Sequence, residues 1–428
     1  MSSFLLTSCG SSVNYKELKI KLSKIIPSAY DSLEIWIRDK DGKTLYFSES
    51  PKAFEHRISI DDFPKKIQVL VRAKKGDSYV MEGVSPLISP EDLDRVEILF
   101  LPSSKSIIFP VVKDVVSYDV WAYPYELSDS LYIFTEKGRI FRISYVSWRS
   151  EEVGSFTPRK NFTLFGREYK DKNSIFIVGG EDGERKLDIV EVFVPNEAVF
   201  TYGQLNYKRS GAKALTWQDV IIILGGDSEG YCEAITQSGI KAFPCGITGR
   251  FSPVVLSQSK GLIKVLLYYK NTGKTQMIYI MRTRDEFEVS YVEDIKSIKR
   301  INGEVVKQGD KTLLFGGYGD SGYIQECEIY DPETNSFVVS GYYNTPRVDF
   351  SAVDVEGNIF IVGGRDQSGS AILDIDAMRG CVFEETGKTL SFPPKPSDCV
   401  FNLFSSYIMI FCQGAIPEIF PILSFILK

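Results

Sequence analysis

The sequence predicts an all-β chain: seven copies of a four-stranded β unit, preceded by a small β-sandwich. Two observations lead there. An apolar β run ending in Gly-Gly recurs at a nearly constant interval, and an N-terminal stretch of short alternating strands does not share that interval. Composition agrees, since 43% of the 428 residues are hydrophobic and 25% charged. A chain of this length and make-up can bury its own core without disulfide or metal staples.

The repeat is carried by Ile175-Phe-Ile-Val-Gly179-Gly180, Ile221-Ile-Ile-Leu-Gly225-Gly226, Thr312-Leu-Leu-Phe-Gly316-Gly317 and Ile359-Phe-Ile-Val-Gly363-Gly364, whose first glycines lie 46, 91 and 47 residues apart. The double gap calls for a degenerate copy, and Leu262-Ile-Lys-Val-Leu-Leu-Tyr-Tyr269 stands at that phase without the glycines. Extending the interval outward finds Leu131-Tyr-Ile-Phe134 and Tyr407-Ile-Met-Ile-Phe-Cys412, which brings the count to seven. β-branched runs suit strands buried between neighbours. The glycines suit a sharp turn with close backbone approach. They do not form a phosphate loop, because no Lys-Ser/Thr follows them.

The third strong copy continues through Glu326-Cys-Glu-Ile-Tyr330-Asp331-Pro332-Glu333-Thr334-Asn335 to Phe337, and Thr157-Pro158-Arg159 and Thr345-Pro346-Arg347 open two of the copies. In these motifs residues 106–428 resemble the Kelch family, which implies a seven-bladed Kelch-type β-propeller with one four-stranded sheet per blade. Where the family carries Trp in the fourth strand, this chain has Phe243, Phe337 or Phe383. Ser106-Ile-Ile-Phe-Pro-Val-Val112 is a β segment claimed by no repeat. It is expected to complete the last blade and so close the ring, removing exposed edges.

Residues 13–103 fall outside the period. Leu33–Arg38, His56–Ile60, Lys66–Arg72 and Arg95–Leu101 alternate in the manner of strands and are separated by turn signals such as Asp41-Gly42. They read as an immunoglobulin- or fibronectin-like β-sandwich. Ahead of them, residues 1–12 form a tail in which Leu6-Thr7-Ser8-Cys9 resembles a bacterial lipobox, with Cys9 as the lipidated residue. The basic and apolar regions of a signal peptide are missing, so this reading places the true start upstream. It implies a lipid-anchored protein of the bacterial cell envelope or periplasm. The competing reading is a free thiol in a disordered tail of a cytoplasmic protein. The C-terminal apolar stretch from Ile416 to Leu427 contains Pro417, Glu418 and Pro421 and is short of the ~20 residues a membrane span needs, so it reads as a buried strand.

The other six cysteines include no CxxC pair. Cys232 and Cys245, and Cys399 and Cys412, bracket hairpin turns, and each pair is read either as a disulfide or as two buried thiols.

Fifty Lys+Arg against 56 Asp+Glu, with no polybasic run, exclude nucleic acid as a partner. The single histidine, His56, excludes multi-histidine metal sites, including that of the copper radical oxidases among Kelch-type enzymes. No cofactor or metal is expected.

One charged feature recurs. Arg159, Arg209, Arg250, Arg300, Arg347 and Lys395 each stand some 16 to 20 positions before a second-strand end. In Kelch propellers that link opens beside the central channel, so six cations would focus a positive potential there. Two roles stay open for them: an anion-binding mouth, or ion pairs holding blade junctions, with Asp227, Asp320 and Asp366 as carboxylates. The functional expectation is a binding module for a protein, peptide or glycan, the ligand being anionic if the six cations hold it, with the membrane reached only through a lipid anchor. The alternative is a carbohydrate-active enzyme resembling the sugar-acid mutarotases, working in the channel with Asp, Glu or Tyr as acid and base.

Overall fold

The computed structural model describes residues 15–19, 21–24, 30–50, 55–59, 63–92, 97–104, 107–108, 122–128, 130–144, 148–284, 286–355, 357–390, 399–404, 407–412 and 418–421. These residues fall into two compact units, the first taking those up to Ser103 together with Trp148 and Pro421, and the second the remainder from Ser104 onward.

The second unit is a seven-bladed β-propeller. Blade 1 comprises Ala122–Leu127, Ser130–Thr135, Arg139–Ser144 and Ser150–Ser155. Blade 2 comprises Thr163–Tyr169, Lys172–Val178, Arg185–Phe193 and Val199–Arg209, with the short Glu181–Asp182 added. Blade 3 comprises Lys213–Trp217, Val220–Leu224, Tyr231–Thr236 and Gly239–Pro244. Blade 4 comprises Ser252–Gln258, Leu262–Tyr269, Lys274–Thr283 and Glu286–Asp294. Blade 5 comprises Glu304–Gln308, Lys311–Phe315, Glu326–Asp331 and Ser336–Tyr342, and blade 6 Ser351–Val355, Asn358–Val362, Asp374–Arg379 and Val382–Thr389. Blade 7 is assembled from both ends of the ring's sequence: Cys399–Phe404, Tyr407–Cys412 and Glu418–Pro421 take Ile107–Ile108 as outermost strand. Ile419 lies opposite Ile107 and Glu418 opposite Ile108, as expected for the unclaimed segment. The degenerate repeat forms the strand Leu262–Tyr269, and both extrapolated runs are second strands.

Each first strand neighbours the first strands of the two adjoining blades, and Ala122–Leu127 meets Cys399–Phe404, so the inner wall is closed. Second strands are buried on both faces. Val220, Ile222, Ile223 and Leu224 are fully buried, as are Leu313, Leu314 and Phe315. That is why these segments read as continuous apolar runs rather than as alternations. In the fourth strands, Phe243 stacks on Phe287 of the next blade, and Phe383 stacks on Tyr343 with ring centroids 4.2 Å apart.

Both glycines of every pair have positive φ; Gly179 and Gly180 are at 60° and 106°. A Cβ on Gly317 would lie 2.8 Å from the Ile301 carbonyl oxygen, and one on Gly180 would lie 2.9 Å from that of Lys160. Conformation and space both demand glycine there.

The first unit contains a six-stranded sheet ordered Lys21–Lys24, Glu97–Pro102, Ser78–Val84, Ile67–Lys75, Ser32–Asp39 and Thr44–Ser50, and a two-stranded sheet of Tyr15–Lys19 with Glu55–Ser59. Its core is formed by Leu33, Ile35 and Ile37 with Val69, Val71 and Phe100. His56 lies opposite Leu18 in the smaller sheet.

Candidate functional site

Four of the six cations singled out by sequence are structural. Arg159, Arg209, Arg300 and Arg347 are at most 2% exposed. Each guanidinium meets a carboxylate on the third strand of the blade it enters: Glu191, Glu233, Glu328 and Asp376, with N–O separations of 2.5 to 2.7 Å. Arg209, Arg300 and Arg347 also donate to the carbonyls of Gly225, Gly316 and Gly363. The carboxylates accept further bonds. Glu233 takes the amide and side chain of Asn206, and Asp376 takes the hydroxyls of Tyr343 and Thr345. These partners offset the cost of burying the charges, although the Nε of each of the four guanidinium groups is left without a hydrogen bond.

The backbone of these arginines joins one blade to the next. The second glycine of the preceding blade donates to the arginine carbonyl: Gly180 to Arg209 and Gly317 to Arg347, both at 2.9 Å. Arg209 and Arg347 are therefore bound to the earlier blade by their carbonyls and to the blade they enter by their guanidinium groups. The expectation of free cations at a channel mouth fails for these four residues, because they are buried and their terminal guanidinium nitrogens are engaged by internal carboxylates and carbonyls. The carboxylates suggested as junction partners are also corrected. Asp227 accepts from the Tyr231 amide, Asp366 caps its own loop through Ser368 and Ser370, and Asp320 is exposed. Arg250 differs from the four: it is exposed, and its side chain makes no hydrogen bond or ion pair among the described residues. Lys395 and Cys9 lie outside the described residues.

A second set of charges converges on the channel, and the sequence reading missed it. Thr163, Lys213, Ser252, Glu304 and Ser351 stand at the heads of the inner strands of blades 2 to 6, four of them opposite the last residue of the second strand and Ser252 opposite Tyr268, one residue earlier. Glu304 forms an ion pair with Lys270. Lys270 follows the second strand of blade 4 and fills the place that Gly180, Gly226, Gly317 and Gly364 hold elsewhere. Lys213 interacts electrostatically with Lys270, Glu304 and Arg250. It keeps solvent access, and its side chain makes no hydrogen bond or ion pair among the described residues. Removal from bulk water pushes the Lys213 amine below its ordinary pKa, and the positive charges of Lys270 and Arg250 push the same way, Glu304 opposing them. Burial drives the Glu304 carboxyl above its ordinary value against the pull of Lys270 and Lys213. Lys270 and Lys213 thus act on one carboxylate, Glu304, and Arg250 acts on Lys213, an arrangement suited to holding an oxyanion.

A signal for these residues existed. Lys213 and Glu304 each stand twelve residues before a first glycine, at the head of an inner strand, and Lys270 takes the place of a glycine. A cleft of about 610 Å³ in blade 6, lined by Arg347, Asp366, Asp374, Asp376 and Lys388 among others, is a weaker candidate. Its Arg347, Asp366 and Asp376 are already bonded within the blade. Among the described residues, no group of three or more His, Cys, Asp and Glu could hold a metal ion.

Cys232 and Cys245 form a disulfide, one of the two readings left open by their hairpin spacing. A second disulfide, unforeseen from the sequence, joins Cys327 on the third strand of blade 5 to Cys381 in the outer turn of blade 6. Cys399 and Cys412 lie opposite each other in the blade 7 hairpin backbone.

No protein-family profile matches the chain, and no curated protein matches it in sequence. Among solved structures, one titled "Structure of YjhT" overlays 61% of this chain and 95% of its own length, with 12% identity and a TM-score of 0.39. An overlay of that quality carries no argument about ligand or activity.

Proposed function

We propose that the chain is an extracytoplasmic Kelch-type propeller, lipid-anchored through Cys9 to a bacterial envelope, that binds an anionic protein, peptide or glycan at its channel. An immunoglobulin-like first unit would serve as spacer. The observation that carries the binding role is the convergence of Lys213, Arg250 and Lys270 on a channel containing one opposing carboxylate, Glu304. The Gly-Gly turns support the Kelch assignment. The two disulfides support an oxidising compartment, because such bonds are rare where glutathione keeps thiols reduced.

The binding role is tested by screening the purified protein and its Lys213→Met/Arg250→Ala variant against glycan and acidic-peptide arrays. Binding by the wild type that is lost in the variant at unchanged melting temperature supports it, and equal binding by both overturns it. The anchor is tested by expressing the gene with an extended start in the presence of labelled palmitate. Label absent from the wild type, or retained in Cys9→Ser, overturns it.

A second reading, an enzyme acting on a sugar acid, is favoured by one observation: a carboxyl held above its usual range faces an amine held below its own, a pairing suited to proton transfer. Anomer exchange followed by NMR on sugar acids would reveal that activity, and it should vanish in Glu304→Gln.

A further inference from the structure

Glu304 is the carboxylate that acts on Lys213 among the described residues, and it is in direct contact with Lys270, one of the site's own cations. Glu304 and Lys270 are both departures from the repeat. Glutamate stands where blades 2, 4 and 6 have Thr163, Ser252 and Ser351, and lysine stands where four other blades have glycine. Neither is required by the blade 4–blade 5 junction, which is held by Arg300 on Glu328 and Gly316 and by the Tyr268 hydroxyl on the Arg300 carbonyl. The pair is instead placed beside Lys213, whose ammonium has no carboxylate of its own.

We infer that Glu304 is a resident counter-anion, occupying in the empty channel the place of the ligand's carboxylate-sized oxyanion and giving up Lys270 when that ligand binds. The inference rests on the anion-binding reading above and deepens it. The groups that act on Glu304 are Lys270 after the second strand of blade 4 and Lys213 on the inner strand of blade 3, and Glu304 in turn acts on the Tyr268 hydroxyl in the blade 4 strand. Once displaced from Lys270, a largely buried carboxylate loses its main stabilising partner and takes up a proton. Ligand binding is therefore linked to protonation of Glu304, and the site binds anions more tightly as Glu304 is neutralised.

The test uses the whole protein with D-glucuronate and inorganic sulfate as probes, titrated calorimetrically at pH 6 in two buffers of different ionisation enthalpy. The expected result is net proton uptake by the wild type. Glu304→Gln should bind about tenfold more tightly, equivalent to ~1.4 kcal/mol, and show reduced uptake. If Glu304→Gln has lost its melting transition, Lys213→Met titrated to saturation at higher probe concentration decides the matter: uptake per bound probe that persists there comes from Glu304 and supports the inference, and binding without uptake overturns it. Wild-type binding without proton uptake, or a folded Glu304→Gln that binds no more tightly, overturns this inference and leaves the anion-binding reading intact. Failure of the wild type to bind either probe overturns both. A response to glucuronate but not sulfate identifies a sugar carboxylate as the ligand group, whereas equal responses identify the anionic charge alone.

Discussion

The hydroxyl of Tyr268 donates to the carbonyl of Arg300 at 2.9 Å. It thereby does, in the repeat that lacks glycines, what the Gly317 amide does for Arg347 one blade later. Tyr268 also accepts from the Gly303 amide at 3.0 Å, so a single side chain satisfies two backbone groups in a buried junction. Burial raises its hydroxyl well above the ordinary value. The hydroxyl therefore stays protonated and keeps donating across the whole physiological range.

Replacing Tyr268 by Phe keeps the ring but leaves the Arg300 carbonyl and the Gly303 amide without that partner. Leaving buried polar groups unpaired costs roughly 1–3 kcal/mol, so urea denaturation should show a lower midpoint at unchanged m-value. An unaltered midpoint would mean that the junction does not depend on this hydroxyl.

Arg300→Met should destabilise far more, by about 3–5 kcal/mol, because it strands the buried Glu328 carboxylate. Adding Glu328→Leu should recover much of that loss, since an apolar pair of similar volume does not carry the desolvation cost of the charges. Stability measured across this double-mutant cycle separates an ion pair that holds the blade from one that merely fills space.

Stability should fall as pH rises above 4.5, the ordinary value for a glutamate, toward the raised values of Glu304 and Glu328. The sign follows from linkage. The folded state holds these protons more tightly than the unfolded chain, so the contribution is complete below the unfolded pKa and is lost as pH passes the folded one. Glu304→Gln should flatten its share of that slope in thermal melts between pH 4 and 8.

Breaking the Cys327–Cys381 disulfide by paired serine substitution should cost about 4 kcal/mol, and breaking Cys232–Cys245 about 3 kcal/mol, because chain-entropy loss grows slowly with loop length. The enclosed separations are 54 and 13 residues. Chemical denaturation of each serine pair, compared with the wild type, tests both magnitude and order.

Most of the fold could be read in the sequence because its determinants recur. The double gap between Gly225 and Gly316 located blade 4, and Ile107 was identified as the closing strand because no repeat claimed it. The site was much less visible. The cation period was real, but burial decides whether an arginine binds a ligand or a neighbour, and Arg209 is fully buried whereas Arg250 is exposed. The carboxylates that engage these arginines recur too, eight to thirteen residues after each first glycine, yet their meeting depends on the third strand folding back beside the glycine turn. Lys213 and Glu304 look like ordinary strand heads, and three blades must be assembled before they and Lys270 share one space. Cys327 and Cys381 escaped for the same reason, because their bond crosses from one blade to the next.

Pairing Ile419 with Ile107 also sets a schedule. The strand that finishes blade 7 leaves the ribosome before any blade, and the strand it pairs with emerges only after blades 1 to 6. Blades 1 to 6 can form one after another from contacts local in sequence, but ring closure waits for all six of them to emerge and must overcome the entropy of a very long loop. Until then the unfinished ring keeps open strand edges that other chains could pair with. A nascent chain stalled just short of Glu418 would be the form most exposed to misassembly, although it would already contain nearly all of the finished structure.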